Sequence, residues 1–279
     1  MVLSPLDLER VLAQLPLGPR MPAIFVGHGS PANAIDDNAF TRALAQMGRE
    51  IQEPPTAVLV VSAHWLTSGV LVQAGERPET IHDFGGFPEE LYRIQYPAPG
   101  APLHARVTAE LLAGDATLTT EWGLDHGAWS VLRHIFPEAR IPVYQVSIDW
   151  ARDMNFHFEF ARALRALRNR GVLVLGSGNI VHNLRRSMPR VAEGDIRPFD
   201  WAVEFDAWVQ ARIDDRDYSG LARHTDAGQS ALLAVPTPDH YVPLLYAAAV
   251  AEPGETVTQI FEQVFYGGIS MRTFRIEPR

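Results

Sequence analysis

Five histidines stand where apolar runs give way to glycine-rich or turn-forming stretches, and they carry most of the chemistry the chain offers. His28 closes AIFVGH (residues 23–28), His64 closes AVLVVSAH (57–64), and His182 ends VLVLGSGNIVH (172–182). His240 lies in TPDHYVP, with Thr237 placed as a helix N-cap and Pro238 at the first helical position. His126 lies in LDHGAW, in a loop entering a helix. Imidazole is the commonest nitrogen ligand for zinc, copper and iron, and it titrates near neutrality. A single histidine at a strand end is ordinarily a hydrogen-bonded structural group. Three separate strands ending this way, joined by His240, point instead to a metal site. His104, His134, His157 and His224 read as structural residues in helical or surface-like stretches, and His82, in IHDFGGFP, fits either role.

The chain has no cysteine among its 279 residues. Disulfides, thiolate zinc sites and a cysteine nucleophile are therefore excluded, and any metal must be held by nitrogen and oxygen. This composition fits a cytoplasmic protein. A formal net charge of −9 leaves no basic stripe for nucleic acid or an anionic membrane. The run RALRALRNR (162–170) reads as the solvated face of a helix. No apolar stretch reaches membrane-spanning length.

The elements that must position these histidines alternate. AIFV, AVLVVS (57–62), VLVQA (70–74), VYQVSI (143–148) and VLVLGS (172–177) are predicted strands, the second and last apolar on both faces. Helical patterns fall at 37–51, 102–113, 128–136, 155–170, 200–214 and 238–250. A short amphipathic helix with Ser4 as cap and Pro5 in its first turn opens the chain, and TQIFEQVFYGGISMRTFRI closes it as a hairpin around Gly267-Gly268. The pattern predicts a single α/β domain with a mixed central β-sheet flanked by helices. In such sheets ligands bind outside the carboxyl ends of the strands, which is where His28, His64 and His182 fall.

GHGSP (27–31), SAHW (62–65), HDFGGFP (82–88), DHGAW (125–129), GSGNIVHN (176–183) and TPDHYVPLLYA (237–247) together resemble the class III, LigB-type, extradiol ring-cleavage dioxygenases. Within them the set is most similar to the 4,5-DOPA dioxygenase branch. The resemblance runs from about Pro22 to the C-terminus. It implies a LigB-like catalytic domain at 22–279 behind a helical extension at 1–21. It also implies one non-haem metal on His28, His64 and His240. His182 matches the position of an acid/base that in this branch can complete the coordination shell, and His126 matches a histidine meeting the substrate hydroxyl or oxygen. The implied reaction inserts O2 into a catechol such as L-DOPA, giving a muconic semialdehyde. Fe(II) is expected for activity, and Zn(II) is compatible with an all-histidine site.

Asp125 and Asp239, each beside a site histidine, are candidates to orient it or to start a helix, the latter favoured for Asp239. Phe84, Phe87, Trp65 and Tyr241 are candidate pocket walls. Two other readings use the same cluster, a zinc-dependent hydrolase and a non-catalytic metal-binding homologue. The hydrolase needs a carboxylate base beside the metal, and no HExxH spacing supplies one.

Overall fold

The runs that are apolar at every position become the interior of a sheet. The computed structural model describes residues 4–112 and 114–278. Ala113, the expected end of a helix, and residues 1–3 and 279, which bound the expected segments 1–21 and 22–279, lie outside the described residues. The central sheet consists of β1 (Ala23–Gly27), β2 (Ala57–Ser62), β3 (Val143–Gln145), β4 (Val172–Gly178), β5 (Thr256–Phe261) and β6 (Thr273–Glu277). Their spatial order is β3-β2-β4-β1-β6-β5, the first four parallel and the last two antiparallel to their neighbours.

Every residue of β1, β2 and β4 is buried, and successive side chains feed opposite cores. Phe25, Leu59, Val61 and Val174 enter one core, while Ile24, Val26, Val58, Val60, Leu173 and Leu175 enter the other. The main helices are α1 (Pro5–Leu12), α2 (Ala39–Glu50), α3 (Pro102–Leu111), α4 (His126–Ile135), α5 (Met154–Ala161), α6 (Asp200–Asp214) and α7 (Val242–Ala249). Buried faces of α2 and α4 cover the second core, and those of the other five cover the first. The molecule is a single α/β domain with a mixed sheet between helical layers. No helix of the described residues is long and apolar enough to cross a membrane.

Register brings the carboxyl ends of three strands level. Ser177 of β4 pairs with Val26 on one side and Ser62 on the other, and Gly27 pairs with Gly178. Two glycines in β4 then admit the segment that carries His240. A Cβ on Gly176 would collide with the carbonyl of Pro243, and one on Gly178 with the carbonyl of His240. That carbonyl accepts the Asn179 N–H at 2.9 Å, laying the turn before α7 against the strand end.

Several elements differ from their sequence patterns. The expected helix over 155–170 is α5 followed by a 3-10 helix, Arg162–Arg170. RALRALR repeats every three residues, the period of a 3-10 turn, so Leu164 and Leu167 share the buried side. Arg168 is buried with them, so the run is not simply a solvated face. VYQVSI divides into β3 and Ile148–Asp149, which pairs with Leu66–Thr67. Val70–Gln73 leaves the main sheet to pair in parallel with Ala116–Thr119. The last helix begins at Val242, so His240 sits in the turn before it, whereas α4 begins at His126 itself. The closing hairpin forms as expected, Val264–Phe265 against Ile269–Ser270, with β5 beside β6.

Candidate metal centre

A ring nitrogen from each of His28, His64 and His240 lies within 4.8 Å of one from each of the others. Their ring centroids are 5.0, 5.1 and 5.3 Å apart, and Nε2 of His28 is 3.1 Å from Nε2 of His64. His28 follows the last residue of β1, His64 is two residues past β2, and His240 is set down by the glycines of β4.

Hydrogen bonding on the far side of two of the rings fixes where their protons lie. Ser177 Oγ donates to the carbonyl of Gly127 at 2.5 Å, so at 3.0 Å it must accept from Nδ1 of His28. Nδ1 of His240 donates to Asp239, and Nδ1 of His64 faces Oδ2 of Asp83 at 3.5 Å. His28 and His240 thus carry a proton on Nδ1, turned away from the cluster, while Nδ1 of His64 only faces its carboxylate oxygen. Burial, reinforced by the neighbouring histidines, holds His28 and His64 well below the ordinary histidine pKa and therefore neutral. Nε2 of His28, with the ring proton on Nδ1, is an acceptor 3.1 Å from Nε2 of His64, and a cation between the two rings takes the place of any proton they share. Imidazoles sharing one ion at about 2.0–2.1 Å each set their nitrogens about 3 Å apart. The donor set, three imidazoles with a ring nitrogen each turned to a common point, fits a divalent metal.

His182 and His126 flank this trio on different sides. The His182 ring lies flat on His240, with centroids 3.5 Å apart and planes 8° from parallel. It falls in a second group with Asp239 and His240, and among the described residues its ring nitrogens have no hydrogen-bond partner. Burial and then His240 lower its pKa to about 3, so the ring is neutral. His126 donates Nδ1–H to Oδ2 of Asp83 at 2.9 Å, its ring centroid 3.9 Å from that of His64. Burial would raise the Asp83 carboxyl, but hydrogen bonds from His126 bring it below the usual carboxylate range.

The two aspartates singled out in the sequence exchange roles. Asp239 holds His240 directly instead of starting a helix, and that hydrogen bond outweighs burial to lower its pKa. Asp125 is the N-cap of α4, accepting from Ala128 N–H and from Ser62 Oγ. Asp83 carries no sequence signal beyond its place in HDFGGFP, because its partners come from elements 19 and 43 residues away in the chain (83 − 64 and 126 − 83).

Of the candidate wall residues, Phe84 meets His126 edge-on at 5.6 Å and packs with Phe87 and Tyr92. Trp65 is buried against Trp122, and Tyr241 is core, its hydroxyl on the carbonyl of Leu221. The structural reading holds for His134, bonded to the Asn33 carbonyl, and for His157, held by Tyr246 and the Asp149 carbonyl. His104 lies near Tyr144 and His224 near Tyr241, neither in a ligand group among the described residues, while His82 bonds the carbonyl of Ile94.

Residues 19–274 match the family model described as the catalytic LigB subunit of aromatic ring-opening dioxygenase. The chain is 44% identical over 262 residues to the 4,5-DOPA dioxygenase extradiol of Escherichia coli K12, covering 92% of this chain and 95% of that protein. It is 36% identical to the protein of the same name from Beta vulgaris, covering 88% and 92%. A crystal structure of an uncharacterized protein from Escherichia coli K12 superimposes with a TM-score of 0.79 at 39% identity, covering 92% of this chain and all of that one.

Proposed function

The chain belongs to the LigB family of extradiol ring-opening dioxygenases, and from that premise we propose that His28, His64 and His240 hold one divalent metal at which a catechol like L-DOPA is cleaved to a muconic semialdehyde. The observation that carries the reading is the convergence of three imidazoles, each with Nδ1 turned to an oxygen and a ring nitrogen within 4.8 Å of the other two. Fe(II) is the expected ion, since when bound it supplies the electron transfer to dioxygen that side chains do not. Residues 22–279 form the catalytic domain, with 1–21 a helical extension, and the enzyme works in the cytoplasm without nucleic-acid or membrane partners.

His182 is the acid/base. Its ring, stacked on His240 and without a hydrogen-bond partner among the described residues, stands beside the metal ligands, where an imidazole can take a proton from a catechol hydroxyl and later return it. His126, whose proton Asp83 holds on Nδ1, offers Nε2 to the other side of the substrate. Phe84 borders His126 and gives an aromatic ring an edge to rest against. The hydrolase alternative needs a free carboxylate base. The aspartates nearest the cluster, Asp83, Asp125 and Asp239, are each committed to an imidazole or a helix end.

The test is to load metal-free protein anaerobically with Fe(II) or Zn(II), then add L-DOPA or simple catechols with air. Oxygen uptake and a yellow product with Fe(II) alone are expected. Ester or amide hydrolysis with Zn(II) and no oxygen uptake would overturn the reading.

A further inference from the structure

Asp83 gathers three nitrogens of the site onto one carboxylate. Oδ1 accepts the backbone N–H of His126 at 2.8 Å, and Oδ2 accepts Nδ1–H of the same residue at 2.9 Å. Nδ1 of His64 lies 3.5 Å from that second oxygen. The aspartate sits in a segment without regular secondary structure, yet the residues before it are pinned from several directions. Ile81 N–H donates to the Leu124 carbonyl and Leu124 N–H to the Glu79 carbonyl, both at 2.7 Å. The Ile81 carbonyl accepts Trp129 Nε1 at 2.8 Å, and His82 Nε2 donates to the Ile94 carbonyl at 3.1 Å. These tethers end at the residue before Asp83, and Gly85 and Gly86 follow it.

A helix cap alone does not account for this arrangement. Helix α4 has its own N-cap in Asp125, which accepts the Ala128 N–H. The second arm of Asp83 is directed at rings, and a carboxylate is an acceptor only, so His126 must present its Nδ1 proton to it, and Nδ1 of His64 faces the same oxygen at 3.5 Å. A carboxylate behind a ligand imidazole fixes its tautomer and orientation and strengthens the opposite nitrogen as a donor to metal.

We propose that Asp83 is a positioning residue that, through one oxygen, keeps the protons of His64 and His126 on Nδ1 together, so that the metal ligand and its neighbour are set as a pair. The inference rests on the metal reading above. It concerns a residue that touches neither metal nor substrate.

The test is Asp83→Asn, which keeps the acceptor for the His126 backbone N–H and turns an amide donor toward the two ring protons. Co(II) alone is titrated into metal-free wild type, Asp83→Asn, Asp83→Glu and His64→Ala, with visible absorption as the readout and thermal unfolding in parallel. For Asp83→Asn, Co(II) affinity and kcat are each expected to fall about 10–100-fold. KM for the catechol and the unfolding temperature of the metal-free protein should stay near wild type, and Asp83→Glu should recover part of the Co(II) affinity. Wild-type Co(II) affinity in Asp83→Asn, alongside its loss in His64→Ala, would overturn the proposal and leave the metal reading standing. Equal Co(II) binding by wild type and His64→Ala would overturn both.

Discussion

Strand β1 runs between two buried polar clusters of opposite design. Just before its first residue, the Met21 carbonyl accepts Arg168 Nε at 2.8 Å. The rest of that guanidinium is spent on the Val250 carbonyl, both oxygens of Glu255 and the Ile276 carbonyl. All five donors of a fully buried arginine have acceptors, so nothing is left over for a ligand. Just after the last residue of β1, His28 and its neighbours do the reverse. His28, His126 and His240 each satisfy Nδ1 with an oxygen and leave the other nitrogen without an oxygen partner among the described residues. Buried polar groups are ordinarily paired, so complete pairing marks a structural cluster and half-pairing repeated on several side chains marks a site.

Removing a residue from the half-paired end should abolish function and spare the fold. His64→Ala is expected to lose bound metal and oxygen uptake together while unfolding near the wild-type temperature, measured by metal analysis and calorimetry. His182→Gln sharpens the same side. As acid/base, His182 should cost about 10²–10⁴-fold in kcat when replaced, with metal content unchanged. Loss of metal in that variant would make it a ligand instead.

The fully paired end should respond in the opposite way. Arg168→Ala leaves several buried carbonyls without their donor and Glu255 with only Arg20 and the Glu252 N–H, an expected loss of about 3–5 kcal/mol in denaturant unfolding. Metal bound per folded molecule should not change.

Acid should act through the histidine end. Burial holds His28, His64 and His182 below the ordinary value of 6.5, the last at about 3. Below pH 6.5 the unfolded chain binds protons that the folded chain refuses. Stability of the metal-free protein is therefore complete above that pH and drains away as pH falls toward about 3. Unfolding temperature against pH reads this directly. The smallest effect on metal belongs to His104→Ala, which should retain it fully, because His104 packs by Tyr144 and belongs to none of the ligand groups among the described residues.

The half-paired end was largely legible in the sequence and its supports were not. Strands β1, β2 and β4 announce themselves by unbroken apolar runs, and the histidines at their ends need only the rule that ligands collect there. Helix α6 spans Asp200–Asp214, as its periodicity predicts. What stayed hidden depends on contacts between distant segments. Asp83 acquires its role only when its irregular loop meets His64 and the start of α4, and no period or cap signals that meeting. Asp239 reads as a helix-start residue because Pro238 mimics a first helical position, yet the turn it forms holds His240 instead. The paired end was misread for a similar reason. Arg168 belongs to a basic run that looks solvated until the three-residue winding turns it inward.

X-ray absorption of the Fe(II)-reconstituted protein tests the central claim most directly. Three imidazole nitrogens sharing one ion should give an iron shell of nitrogen with imidazole multiple scattering, at about one iron per chain, and both should vanish in His64→Ala. An oxygen-only shell without imidazole scattering, or iron unaffected by that substitution, would contradict the account.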